Sequence, residues 1–253
     1  MRVVVTFAVD SEFAPWRKSR PFRRDRNAAP ARYEYSTGDL FVRVVLTGMG
    51  ERLAGQAAKA ALADGADLCI SSGLAGGLQA GQRSGDILVA QVVVKDHEPV
   101  AIASDPELIA LASDCGARQV SRFVTSRVIV ARSADKQLLG ERADAVEMES
   151  LAVLGEAARR GVPAVAVRAI ADTVDFDLPL DFSTASDPSG QIRASRVLGA
   201  LAMRPQRLPA LLRFARDCRR ASQSLAAFLD AYTGCLAECY RGSGSRSELL
   251  ATT

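Results

Sequence analysis

Three short segments carry the carboxylates that acid–base chemistry uses, and a fourth carries glycines. Asp10 and Glu12 follow the apolar run 2–9, Glu147 and Glu149 flank Met148 in AVEMES (145–150), and Asp172 lies in RAIADTVD (168–175), four residues after Arg168. In SSGLAGGL (71–78), Gly73, Gly76 and Gly77 let backbone approach a ligand or another strand closely. A carboxylate at a strand end can serve as a general base, and its two acceptor oxygens suffice for two vicinal hydroxyls. A neighbouring methionine can pack on a sugar face. Taken singly, each acid also has an ordinary reading. Glu12 reads as a solvated loop acid, Glu147 and Glu149 as acids favoured by a helix dipole, and Asp172 as a cap or turn residue. His97 is the only histidine. A three-histidine metal site is therefore excluded, a Ser-His-Asp triad is disfavoured, and acid–base work falls to carboxylates.

The elements that must position these residues alternate between two patterns. Continuous apolar, β-branched runs at 2–9, 41–47, 67–72, 86–94 and 162–171 read as strands buried on both faces. Between them, 51–64 is an alanine-rich helix ending before Gly65, and 105–114 opens with an Asp-Pro cap. The helix predicted at 149–160 stops at Gly161. The alternation predicts a single α/β domain with a central mixed, largely parallel sheet flanked by helices. In such sheets ligands gather at the carboxyl ends of the strands, where the candidate acids fall. The glycine-rich segment continues into another strand, so it does not have the context of a dinucleotide fingerprint. Residues 17–32 and 173–190 read as loops. Leu208, Leu211, Leu212, Ala215, Phe228, Leu229 and Tyr232 repeat at helical spacing, with Arg213, Arg216, Arg219 and Arg220 mainly on the other positions. The domain is expected over 1–240, with 193–240 a helical extension and 241–253 a mobile tail.

Composition narrows the classes further. Of 253 residues, 48% are hydrophobic, ample for a buried core. The net charge of +3 conceals a local +6 at 17–32 and +7 at 193–220, leaving −10 on the rest. An acidic body with two arginine-rich segments argues against a nucleic-acid binder. No run approaches the ~18 apolar residues of a membrane span. Five cysteines without a CxxC pair give no zinc site and fit a reduced, cytoplasmic chain.

The phrases GLAGGL, VEMES and RAIAD, in this order and spacing over roughly residues 1–182, resemble the nucleoside phosphorylase/nucleosidase superfamily. The closer similarity is to nucleosidases that split methylthioadenosine and S-adenosylhomocysteine. That resemblance implies cleavage of the N-glycosidic bond of a purine, adenine-type nucleoside, with no metal and no redox cofactor. It implies Asp172 as the acid that protonates the leaving base at N7 and Glu12 as the base that activates water. It also implies Glu149 on the ribose 2′- and 3′-hydroxyls, with Met148 under the sugar and Glu147 beside them. Gly73, Leu74, Ala75, Gly76, Val128, Ile129 and Val130 fall where the family lays backbone and apolar surface against substrate. Arg168 is expected to tune Asp172 or to bind an anion.

Phosphorolysis, with phosphate as co-substrate met by Arg17, Lys18 and Arg20, is the alternative to hydrolysis, and a catalytically silent nucleoside-binding module is the alternative of another class. Leu74 stands where adenosine-type nucleosidases carry serine or threonine. The GLAGGL form and MRPQRLPALLRFARD resemble the hopanoid-associated branch, whose members are assigned to removing adenine from adenosylhopane. A basic amphipathic C-terminal helix would suit peripheral contact with an anionic membrane. The family also implies a homo-oligomer, a dimer or a hexamer.

Overall fold

In the computed structural model, residues 1–180 and 205–250 are described, with side chains through residue 239. The elements in chain order are β1 (Arg2–Phe7), α1 (Asp10–Ser19), β2 (Arg23–Asp25), β3 (Arg32–Thr37), β4 (Leu40–Leu46), α2 (Glu51–Ala63), β5 (Leu68–Ser71) and β6 (Leu74–Gly77). There follow β7 (Ile87–Lys95), β8 (Ala101–Ala103), α3 (Pro106–Asp114), β9 (Arg118–Thr125), α4 (Ser133–Gly140), β10 (Ala145–Glu147), α5 (Ser150–Arg159) and β11 (Ala164–Asp172). A 3-10 turn, Pro205–Arg207, leads into α6 (Leu208–Leu250).

One mixed sheet runs in the order β2-β3-β4-β1-β5-β11-β6-β10-β9-β7-β8. Its centre is parallel, with β1 between β4 and β5 and with β11 beside both β5 and β6. β11 also pairs antiparallel with β7, so β11, β6, β10, β9 and β7 close into a ring. Every residue of β11 is buried, Arg168 and Asp172 included, as its otherwise apolar run predicts for a central strand. On one face α2 and α5 pack through Ala54, Ala58, Leu151 and Leu154. The other face is covered by α1, α3 and α6 through Phe13, Trp16, Leu108 and Leu225. The Asp105 side chain caps α3, accepting from the Glu107 and Leu108 N–H groups at 3.0 and 3.1 Å.

Two expectations are corrected, and one strand is added. The charged segment 17–32 is not all loop: α1 continues to Ser19, and β2 pairs antiparallel with β3 as an edge strand. An edge exposes its side chains, so a strand as charged as Arg23–Asp25 is tolerated there. Leu74–Gly77, given no element from sequence, is a strand. Lastly, Leu208 and Leu212, assigned to the apolar face of α6, are 46% and 57% exposed. The helix enters the core only from Ala221, where Leu225, Leu229 and Tyr232 bury. There the Tyr232 hydroxyl donates to the Leu108 carbonyl at 2.8 Å, so its polar end is satisfied. Residues 181–204 and 251–253, and side chains beyond 239, lie outside the described residues, and with them the second half of the 173–190 loop and the start of the extension; of the tail expected at 241–253, the backbone of 241–250 continues α6.

Candidate active site

A cavity of about 1160 Å³ opens where β1, β6, β10 and β11 end, and it continues outward between α1 and α6. Glu12, Leu74, Ala75, Gly76, Val128, Ile129, Val130, Glu147, Met148, Glu149 and Asp172 all line it, so eleven residues singled out from sequence meet in one place. Gly73 and Arg168 stand behind the lining.

Glu12 lies in the first turn of α1, directly after the strand β1 that aims it at the sheet. Its carboxylate accepts from the Ala8 N–H at 3.2 Å and the Leu74 N–H at 3.3 Å. Gly73 passes underneath with φ +148°, and a Cβ there would come within 3.1 Å of Glu12 Oε2. Both the backbone angle and the close approach require glycine. Burial pushes the Glu12 carboxyl above its ordinary range, and the Arg168 charge and the backbone N–H groups only partly offset this.

Glu149 sits at the N-terminal end of α5, and its Oε1 accepts from the Gly50 N–H at 2.8 Å. Burial, then the negative charge of Glu147, raise its pKa against the pull of Arg168. Glu147 is used differently. Its carboxylate bonds Thr125 Oγ1 and Arg168, the latter at 2.7 Å, and accepts from the Glu149 and Ser150 N–H groups at 2.8 and 2.6 Å. With its acceptors occupied, Glu147 caps α5 and braces Glu149. Arg168, 1% exposed, spans this acid pair: it reaches Glu149 Oε2 at 3.9 Å and Ser71 Oγ at 3.3 Å. It is therefore a buried counter-ion to the glutamates, and no contact joins it to Asp172.

Asp172 ends β11 just after a register shift against β6 between Ile170 and Asp172. Such a bulge re-aims a side chain at a strand end. Burial raises the Asp172 pKa, and the ammonium of Lys136 opposes that rise. Lys136, completely buried on α4, bonds Asp172 directly. Sequence reading missed it, because a single lysine in a short polar helix gives no signal. Met49 and the α6 residues Phe214, Cys218, Arg219 and Ser222 also line the cavity unforeseen. Arg219 is exposed on the polar face of α6 and borders the cavity from there. His97 sits 82% exposed on a turn and is not part of the site. Among the described residues no group of three or more His, Cys, Asp or Glu is placed to hold a metal ion.

The family model of the phosphorylase superfamily matches residues 2–202. The chain belongs to the phosphorylase superfamily. It is 29% identical over 159 residues to a 5′-methylthioadenosine/S-adenosylhomocysteine nucleosidase of Actinobacillus succinogenes, covering 54% of this chain and 69% of that protein. The solved structure of a point mutant of the Helicobacter pylori nucleosidase, with 5′-methylthioadenosine in its active site, superposes with a TM-score of 0.71 at 17% identity, over 92% of this chain and 98% of that one. The Streptococcus pneumoniae nucleosidase gives a TM-score of 0.71 at 18% identity over 93% and 100% of the two chains. Futalosine hydrolase of Helicobacter pylori gives 0.72 at 18% identity over 92% and 97%. These structures share the superfamily fold. No helix among the described residues is long and apolar enough to cross a membrane.

Proposed function

We propose that this superfamily member is a nucleosidase that hydrolyses the N-glycosidic bond of an adenine-type nucleoside. The observation that carries the reading is the convergence of Glu12, Glu149 and Asp172 on one cavity at the strand ends. The relatives named above as nucleosidases support it. The C1′–N9 bond breaks toward an oxocarbenium-like sugar, its electron pair passing to the purine, by analogy with glycoside hydrolysis. Asp172, whose burial favours the protonated form, gives its proton to N7 of the leaving base. Glu149 accepts from the 2′- and 3′-hydroxyls, with Met148 packed against the sugar. Water attacks C1′ and passes its proton to Glu12, whose carboxylate form the Ala8 and Leu74 N–H groups and the Arg168 charge support. No cofactor takes part in these steps.

Hydrolysis is preferred to phosphorolysis because two of the three candidate phosphate ligands are already engaged. Arg17 is held by Asp10 at 2.7 Å and by the Tyr33 hydroxyl at 3.1 Å, and Arg20 by Asp230. Only Lys18 of the three lines the cavity. Adenine release from methylthioadenosine, measured with and without phosphate, tests the reading. Equal rates are expected, and strict dependence on phosphate would replace hydrolysis by phosphorolysis. Failure to release base from any purine nucleoside would leave a binding module.

The size of the cavity favours a bulky 5′ substituent. Its volume of about 1160 Å³ exceeds the ~300–1,000 Å³ usual for small-molecule pockets. Away from the strand ends its lining continues along α1 and α6, with Pro15, Ala215, Cys218 and Ala227 among polar neighbours such as Lys18, Arg219 and Gln223. An apolar arm such as that of adenosylhopane would run along the small apolar residues of this wall. Leu208 and Leu212 are exposed near Arg213 and Arg216, a pattern suited to peripheral contact with an anionic membrane. Co-sedimentation with anionic vesicles, compared with neutral ones, tests that contact. Assembly as a symmetric homo-oligomer is part of the same proposal, and light scattering of the purified protein reads it directly.

A further inference from the structure

Lys136 is a buried ionisable side chain, bonded to the proposed acid, that the steps above leave without a role. Its ammonium has three N–H bonds and three acceptors: an Asp172 carboxylate oxygen, the Phe176 carbonyl at 2.7 Å and the Thr173 carbonyl at 3.2 Å. Burying a lysine beside a carboxylate strips both ions of water, and an apolar pair of the same shape often serves stability as well or better. Stability alone therefore gives little reason for this pair.

The geometry holds two parts of the cavity at once. The ammonium occupies Asp172 Oδ2, so a proton carried by this carboxyl belongs on Oδ1. The same ammonium ties down the turn after β11, and the Phe176 ring on that turn stacks on Phe214 of the cavity wall at 6.2 Å between centroids. We propose that Lys136 is a positioning residue that fixes which oxygen of Asp172 donates the proton and holds the turn behind it. This rests on the reading of Asp172 as the acid to the leaving base. Three groups bear on the Asp172 charge: Lys136 from α4, Asp217 from α6, whose negative charge disfavours ionisation, and the Cys218 thiol, itself pushed up by burial and by the charges of Asp172 and Glu12. Lys136 is the cation among them. Its charge favours the ionised carboxyl, so its loss makes Asp172 keep its proton to higher pH.

The test measures kcat and KM for adenine release from mildly acidic to alkaline pH, in wild type, Lys136→Met, Lys136→Arg and Asp172→Asn and in Asp172→Asn combined with Lys136→Met. Lys136→Met is expected to lower kcat about 10²-fold, the cost of a misplaced reacting group, with KM little changed. Its alkaline limb should move to higher pH. Lys136→Arg should recover part of kcat and keep the limb near its wild-type place. In the Asp172→Asn background Lys136→Met should cost nothing further. Lys136→Gln, uncharged but able to donate, carries the same expectation for the limb and replaces Lys136→Met if that variant does not fold. A wild-type kcat and limb in the uncharged variants, or an equal loss in both backgrounds, overturns the proposal. Wild-type turnover by Asp172→Asn would instead overturn the assignment of the acid itself.

Discussion

The cavity has an inner wall at the strand ends, where Glu12, Glu149 and Asp172 stand, and an outer wall where α1 faces α6. On the inner wall each acid is held by a defined group: the Ala8 N–H just after β1 for Glu12, the Gly50 N–H at the head of α2 for Glu149, and the buried ammonium of Lys136 on α4 for Asp172. On the outer wall the helices mix small apolar residues such as Pro15, Ala215 and Ala227 with polar ones such as Lys18, Arg219 and Gln223, and are joined to each other by the Asp230 bonds to Trp16 and Arg20. The contrast separates two tasks. Rigid strand ends suit groups that must meet a reacting bond, because a small misplacement is costly in rate. A helix pair presents a surface whose side chains can change size without moving the acids. Changes to the inner wall should therefore lower turnover of every nucleoside, and changes to the outer wall should act only through the 5′ arm.

The largest effect is expected from the inner wall. Asp172→Asn should lower kcat about 10²–10⁴-fold whichever nucleoside is supplied. It should also lower the melting temperature, since Lys136 is left buried beside a neutral partner. A loss confined to long-armed substrates would erase the distinction between the walls. Next comes Gly73→Ala. The φ of +148° alone should cost about 1–3 kcal/mol in a melt, and the new Cβ would press on Glu12 Oε2 from 3.1 Å, so turnover falls as well. Gly81→Ala is the control: its φ is +84° but nothing lies within 4 Å of the added carbon, so it should be strained yet active.

Most of the inner wall was legible in the sequence and most of the outer wall was not. Strands β1, β5, β7 and β11 announce themselves as unbroken apolar runs, and the acids follow from their positions at strand ends. The strands that escaped notice have weaker patterns. β3 (RYEYST) and the first half of β9 (RQVSRFVT) expose much of their length, β10 is three residues long, and β6 carries two glycines. Register supplies these strands from their neighbours, and single-chain patterning does not record register. Glu147 and Glu149 look equivalent in VEMES, yet one braces a helix and the other faces the cavity. Only the bonds from Thr125 and Arg168 distinguish them. Arg219 lies on the polar face as its periodicity indicates, yet it lines the cavity, because helical periodicity divides apolar from polar and a cavity wall can be either.

The outer wall has its own prediction, of intermediate size. Ala227→Trp fills the groove between α1 and α6 from an exposed position on α6. It should raise KM for a nucleoside with a long apolar 5′ chain about tenfold, the equivalent of roughly 1.4 kcal/mol of lost contact. Methylthioadenosine, with its short arm, should be turned over as before. An equal effect on both substrates would mean that the groove is not the seat of the arm.

The smallest effect concerns stability against pH, and here the two walls should have opposite signs. Burial holds Glu12, Glu149 and Asp172 above their ordinary pKa values in the folded protein. Between the unfolded and folded values the native state binds more protons than the unfolded chain, so unfolding releases protons and becomes easier as pH rises. The inner wall thus contributes stability in mild acid that fades as pH climbs through the folded values. Asp230 on the outer wall is held below its ordinary value, chiefly by its bond with Arg20. Its contribution is present above the usual carboxylate range and is lost as pH falls through the depressed value. Glu149→Gln should accordingly flatten the decline of melting temperature toward alkaline pH. Asp230→Asn should lower the melting temperature by a nearly constant amount from neutral pH upward, with the difference from wild type closing only in acid. A Glu149→Gln profile parallel to wild type would show that Arg168 and the Gly50 N–H already offset the cost of burying that charge, and that the inner wall is no more strained electrostatically than the outer.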